Sequence, residues 1–405
     1  MAFPYIVQKG DTLFRIARKF ALNLDAIIAA NPQIENFDYL VPGQVVYIPE
    51  RPVNWYVVQE GDTFYNIARR FNIALDDLLA ANPGIDPARL QIGQWIVLPT
   101  GTGFNIVNTT GPYGYEEMIA DIEALANRYP FLRTGYIGES VLGKRLPVVI
   151  IGRGPKKIHY NGSFHANEWI TTPLLMKFIE DFAQAYAENR TWRGTNVREL
   201  FEQVSLWIVP MVNPDGVELV LEGISPSNPF YEQVVAWNNG SFNFRNWKAN
   251  IRGVDLNDQF PANWEIEKER RSPDGPGPRD YPGEAPLTEP EAIAIANLTR
   301  NEDFLLVIAF HTQGEVIFWN YRDLEPPVSE TIVNRFAAVS GYEPMKIFDS
   351  DAGYKDWFIQ DFRRPGFTVE AGRGVNPLPI SDFPRIYDDV VMIMLEGMKA
   401  TQELL

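Results

Sequence analysis

The chain has 405 residues, enough for two or three domains, with 45% hydrophobic and 13% aromatic residues to build cores. A formal net charge of −16 and a pI of about 4.8 speak against nucleic acid as a partner. With no cysteine and three histidines, disulfides, thiolate metal sites and a Cys nucleophile are excluded, and a transition-metal site must draw on His, Asp and Glu. No apolar stretch of about 18 residues occurs, so no membrane span is expected. The start, MAFPYIVQKGDT, lacks the basic and apolar regions of a signal peptide.

The first hundred residues are a repeat. YIVQKGDTLFRIARKFALNLDAIIAANPQI at 5–34 matches YVVQEGDTFYNIARRFNIALDDLLAANPGI at 56–85. Each copy reads strand, helix, helix, strand. In the first, Tyr5, Ile6 and Val7 open a strand, Gly10-Asp11 turns, and Asp11 or Thr12 can cap the helix that follows. Leu13, Ile16, Ala17 and Phe20 keep helical spacing, Leu24, Ile27 and Ile28 mark a second helix, and Asn31-Pro32 ends it. The copies close on VVYIP (45–49) and WIVLP (95–99). GDT, IA-x-x-F, the NP stop and the closing I-P or L-P, recurring together, resemble the LysM module. The resemblance implies two βααβ modules, 1–50 and 51–100, that bind N-acetylglucosamine-containing glycan. Its ligand groove carries over to Gly10, Asp11, Thr12, Asn31, Pro32 and Ile34, and to Gly61, Asp62, Thr63, Asn82, Pro83 and Ile85. Residues 101–112, rich in Gly and Thr, read as a linker.

From Tyr113 to Leu405 the pattern changes to that of one α/β domain. Met118, Ile122, Leu125 and Tyr129 space a core-facing helix. Apolar runs at 146–152, 157–164, 204–212, 304–310 and 366–371 read as buried strands, with helices at 171–187, 289–301 and 384–401. Continuous apolar strands interleaved with helices predict a mixed, mostly parallel sheet covered on both faces. Sites in such sheets gather at strand ends. His165 and Glu168 in NGSFHANEW follow one strand, His311 another, and Glu370 ends a third. Two His and one Glu with an open fourth position form a known catalytic zinc set. H-x-x-E alone is a weak signal; His159, inside a strand, reads as structural.

The surrounding segments add the specificity. SVLGKRLPVVIIG (140–152), HANE, VPMVNPDGVE (209–218), GVDLN (253–257), AFHTQGE (309–315) and FTVEAG (367–372) resemble, in order, the zinc carboxypeptidase family. The resemblance implies one zinc per chain, held by His165, Glu168 and His311. It makes Glu370 the general base, which passes the proton of the attacking water to the leaving amine, and Asp255 the carboxylate that orients the first His. It places Lys248 where the family commonly has an oxyanion-steadying arginine, with Arg245 and Arg252 as other candidates, and Asn257 in the substrate site.

Several positions depart from the family. Asp258 stands where an arginine grips the substrate's C-terminal carboxylate; a bare Asp258 is expected to repel that group and to favour a cationic one. Phe348 falls in the slot of the mobile tyrosine, for which Tyr354 is a nearby substitute. Lys355 and Asp356 then give the side-chain pocket a charged character. These departures resemble the bacterial γ-D-glutamyl–L-diamino acid endopeptidases, which act on peptidoglycan stem peptides, and glycan-binding modules point to the same polymer. The expectation is therefore a peptidoglycan-binding zinc peptidase, cell-wall or spore-associated, or cytoplasmic before release. The alternatives are a broader zinc carboxypeptidase anchored to glycan, and a glycan-binding protein with an inactive peptidase domain.

Overall fold

A computed structural model describes residues 105–271 and 273–404 continuously; of residues 1–104 it describes 2–7, 12–13, 16, 27–28, 30–31, 34, 40–49, 54–58, 62–70, 78–79, 82, 85–87 and 90–98. The chain divides into two compact units, Met1–Asn105 and Ile106–Leu405.

In the first unit the described strands of the two repeats pair alike. β1 (Ala2–Ile6) pairs antiparallel with β2 (Val45–Pro49), and β3 (Asn54–Val57) precedes helix α1 (Phe64–Arg70) and pairs antiparallel with β4 (Trp95–Leu98). Each copy buries its own small core, around Val7, Ile16, Ile27 and Val46 in one and Val58, Ile67, Leu78 and Ile96 in the other. Thr63 Oγ1 accepts from Asn66 N at 3.0 Å and so caps α1.

Asn31 and Asn82, expected in the glycan groove, point inward instead. Asn31 Nδ2 donates to the carbonyls of Ile27 and Tyr47, both at 2.7 Å, and its Oδ1 accepts from Tyr47 N at 2.7 Å. Asn82 repeats this with Leu78 O (2.8 Å), Val97 O (2.6 Å) and Val97 N (2.7 Å). Each amide pins a helix end to the closing strand, because buried backbone groups there need partners. Ile34 lies in the first core and Ile85 packs against the second. Thr12 and Thr63 are exposed, and Asp62 accepts from Tyr56 Oη at 2.5 Å. Gly10, Asp11, Pro32, Gly61 and Pro83 lie outside the described residues.

The second unit begins before Tyr113. Ile106 N and Val107 N donate to the carboxylate of Glu180 at 2.5 and 3.4 Å, and Val107 is buried in the main core. The later part of the expected linker therefore belongs to this unit. In order come α2 (Tyr115–Arg128), β5 (Arg133–Glu139), β6 (Arg145–Ile151), β7 (Lys156–Gly162), α3 (Thr171–Ala187), a short ribbon β8 (Thr191–Trp192) and β9 (Thr195–Asn196), α4 (Val197–Gln203) and β10 (Val204–Val209). They are followed by α5 (Pro214–Glu222), α6 (Tyr231–Trp237), α7 (Trp264–Arg270), α8 (Pro290–Glu302), β11 (Val307–His311), β12 (Val316–Phe318), α9 (Val328–Ser340), β13 (Glu343–Met345), α10 (Tyr354–Phe362), β14 (Gly366–Glu370) and α11 (Phe383–Ala400).

Eight strands form one sheet in the order β13-β12-β14-β11-β7-β10-β6-β5. Its centre, β14-β11-β7-β10, is parallel; β6 and β5 join antiparallel on one side, β12 on the other. Successive side chains of a strand face opposite sides. Tyr160, Ile308 and Phe310 pack with residues of α2, α3, α9 and α11, whereas Val307 and Ala309 pack with residues of α8 and α10. Burial on both faces is why these strands read as unbroken apolar runs. No helix among the described residues is long and apolar enough to cross a membrane.

Candidate metal centre and active site

Neighbouring parallel strands end at the same edge of the sheet, and this carries the site. After β7, Ser163 takes a left-handed φ of 50° and a 3-10 turn over Ala166–Glu168 leads into α3, so His165 and Glu168 fall on the β7 end. His311 is the last residue of β11 and lies in register with Glu370, the last of β14.

Three buried ligand-type atoms converge there. His165 Nδ1 is 2.9 Å from Glu168 Oε1, His311 Nδ1 is 2.9 Å from Glu168 Oε2, and the two Nδ1 atoms are 3.1 Å apart. Two ring nitrogens facing each other and one carboxylate leave at least one lone-pair clash unless a cation or a proton lies among them. Ligand atoms of a tetrahedral zinc, with bonds of about 2.0–2.1 Å, stand roughly 3.3 Å apart, so this donor set fits zinc. Burial opposes a charge on His165, yet Glu168 and Asp255 outweigh it and bring its pKa up to about 9. Burial likewise opposes charge on Glu168, but the two imidazoles hold it at about 2. Burial pushes His311 down, favouring a neutral ring.

Asp255 Oδ1 stands 3.1 Å from His165 Nε2, which fixes the Nε2–H tautomer and leaves Nδ1 to bind metal. Lys248 Nζ lies 3.0 Å from Asp255 Oδ2 and 3.5 Å from Asp280 Oδ1. Despite complete burial, Lys248 and His165 hold the Asp255 carboxyl well below the usual range. Of the alternatives to Lys248, Arg245 is exposed and Arg252 pairs with Glu289 at 3.6 Å. Glu370 is pushed up to about 8, first by its enclosure and then by the Glu168 charge.

The remaining expected residues divide. Asn257, beside Asp255, accepts from Tyr354 N at 3.3 Å through Oδ1. Asp258 is not a bare anion: Arg271 Nε lies 3.0 Å from its Oδ2, and Arg271 Nη2 donates to its Oδ1 at 3.1 Å. Burial and Asp255 still raise Asp258 to about 7 against the pull of Arg271. Tyr354 is not brought to the site. It is fully buried, packs against Phe260 and Phe164, and places its hydroxyl 2.9 Å from Thr299 Oγ1. Phe348 is exposed at 71%. Lys355 is buried, donates to Asn320 O at 2.7 Å and pairs with Asp356. His159 keeps its structural reading: Nδ1 meets Trp207 O and Nε2 meets Asn161 Nδ2, both at 3.0 Å.

Sequence reasoning missed Arg271, which follows α7 and carries no motif, and also Thr312 and Asn376. Thr312 N donates to Glu168 Oε2 at 3.3 Å, and Asn376 Nδ2 reaches Glu168 Oε1 at 3.4 Å.

Comparison with known proteins gives matches to the zinc carboxypeptidase family over residues 118–386 and to the LysM domain over 5–49 and 56–99. The chain is 50% identical over 392 aligned residues to gamma-D-glutamyl-L-diamino acid endopeptidase 1 of Lysinibacillus sphaericus, covering 84% of this chain and 99% of that protein. It is 44% identical over 272 residues to the uncharacterized protein YqgT of Bacillus subtilis (strain 168), covering 66% of this chain and 72% of that one. Among solved structures, bovine thrombin-activatable fibrinolysis inhibitor in complex with tick carboxypeptidase inhibitor superposes with a TM-score of 0.56 at 18% identity, covering 73% of this chain and 99% of that one. This last likeness is one of fold.

Proposed function

Because the chain belongs to the zinc carboxypeptidase family and carries two LysM domains, we propose that it hydrolyses the amide bond between γ-D-glutamate and the L-centre of a diamino acid, meso-diaminopimelate or lysine, in peptidoglycan stem peptides. The observation that carries this reading is the 50% identity extending over 99% of the L. sphaericus endopeptidase. The His165–Glu168–His311 set, with Glu370 on the neighbouring strand end, supports an active enzyme rather than a glycan binder with an inert domain.

His165, Glu168 and His311 would hold a zinc ion, which would supply Lewis-acid polarisation of the scissile carbonyl and a more acidic water. Glu370 takes the proton of the attacking water and delivers it to the leaving nitrogen, so one water is added across the amide bond. Asp255 keeps His165 in the metal-binding tautomer. Lys248 holds Asp255 ionised and offers its remaining N–H to the negative charge that develops on the carbonyl oxygen. By its family position Asn257, next to Asp255, belongs to the substrate site. The LysM modules keep the peptidase on glycan, which raises the local concentration of stems and places its work at the cell wall.

Mass spectrometry of defined muropeptides digested by the full chain tests this. The expected products are a fragment ending in free γ-D-glutamate and a peptide with a new amine on the diamino acid. Release of C-terminal residues alone would make the broader carboxypeptidase the correct description.

A further inference from the structure

Asn376 lies in the irregular segment that follows β14, the strand carrying Glu370. Its amide is used at both ends. Oδ1 accepts from Thr312 Oγ1 at 2.8 Å, while Nδ2 donates to Thr312 O at 2.9 Å and reaches Glu168 Oε1 at 3.4 Å. Thr312 directly follows His311, and its own N–H donates to Glu168 Oε2 at 3.3 Å. Both oxygens of the ligand carboxylate thus meet a donor from the Thr312–Asn376 pair. A flipped amide would set its oxygen against the Thr312 carbonyl and the Glu168 carboxylate, so the partners fix the orientation.

We infer that Asn376 is a positioning residue for Glu168, working with Thr312 as a clamp that ties the metal ligand to the ends of β11 and β14. Glu168 has two oxygens and three rotatable bonds. Without the Thr312 and Asn376 donors, only the two imidazoles, each at 2.9 Å, would orient its carboxylate. Neutral donors hold it without adding charge. Outer partners of metal ligands typically contribute 10–100-fold in metal affinity, and the Asn376 amide is placed to supply such a contribution. A carboxylate at 376 would fill the same space yet face Glu168 with a like charge.

The inference rests on the zinc site alone, and metal affinity measured by chelator competition on the full chain separates it from the substrate proposal. Asn376→Ala is expected to weaken zinc binding about 10–100-fold, and Thr312→Val to weaken it in the same direction by less, since its backbone N–H remains. Asn376→Asp should bind zinc no better than the alanine variant, although it matches asparagine in shape. Melting of the metal-free variants is expected within a few degrees of the parent. Zinc affinity within twofold of the parent for Asn376→Ala, or for Thr312→Val if the alanine variant does not fold, would overturn the inference. So would an aspartate variant that restores affinity, which would mean that Asn376 only anchors its loop.

Discussion

Replacing Asp255 by asparagine tests the charge chain behind the metal. Asp255 is fully buried, and Lys248, with 15% of its side chain exposed, lies 3.0 Å from Oδ2. Unit charges at that distance interact by about 5–6 kcal/mol at an effective dielectric of 20, and desolvation offsets part of this. Removing one partner of a buried pair costs about 3–5 kcal/mol, because the other charge stays behind. Asp280, 3.5 Å from Lys248, retains some of the compensation, which puts Asp255→Asn near the lower end, about 3 kcal/mol. The double variant Asp255→Asn/Lys248→Met removes both charges and should recover most of that loss. Zinc behaves differently. His165 Nε2 loses its charged acceptor in both variants, so affinity should fall about tenfold in each and should not recover in the double. Equilibrium urea unfolding of the metal-free chain, following the Ile106–Leu405 unit, reads the first quantity, and chelator competition reads the second. A single variant less than about 1 kcal/mol below the parent, or a double variant less stable than the single, would refute the pairing.

His311→Ala should abolish stoichiometric zinc, and metal analysis still giving one zinc per chain would exclude His311 as a ligand. Glu370→Gln should keep zinc and fold while losing at least 10²–10⁴-fold in hydrolysis; activity within threefold of the parent would sink its role as the proton carrier. His159 is held neutral by burial, with its pKa lowered to about 3 from the ordinary 6.5 of a histidine. The unfolded chain therefore takes up a proton that the fold refuses, and stability falls as pH drops from 6.5 toward 3, by roughly 3 kcal/mol between pH 7 and 4; His159→Leu should lose less over that range, and an equal loss would contradict the argument. A chain starting at Ile106 should cleave small muropeptides like the full chain but sediment poorly with insoluble sacculi, whereas unchanged sedimentation would deny the LysM modules their binding role.

Much of the sheet and the metal ligands was legible because each rests on local pattern. Helix 171–187 and the strands carrying the site were bounded to within a few residues by apolar runs that both faces of the sheet demand. His311 and Glu370 end their strands and His165 lies three residues past the end of β7, and parallel neighbours bring strand ends together whatever the loops do. The groups that hold the ligands were harder to read. Thr312 and Asn376 meet Glu168 from segments 144 and 208 residues away, and neither belongs to a spacing that periodicity or capping would single out. The two repeat asparagines illustrate the opposite error. NP at a helix end is both a turn signal and a place where backbone groups lack partners, and the inward amide of Asn31 or Asn82 serves that second need.

Position 258 shows why one residue type, read alone, misjudges a site. As text, an aspartate in an arginine's place reverses a charge. In space it becomes one half of a pair: Arg271 is held by Asp258 at 3.0 Å and by Glu267 at 2.7 Å. Asp280, which neighbours Lys248, stands 3.7 Å from the same guanidinium. Asp255, Lys248, Asp280, Arg271 and Asp258 thus form one chain of alternating charge, in which Asp255 and Asp258 are buried. Such a chain does not act on a nearby charge as an isolated aspartate would. Its local fields fall off within a few ångströms as neighbouring charges cancel. A lone aspartate would repel a substrate carboxylate; paired with Arg271 at 3.0 Å, Asp258 is not that lone charge.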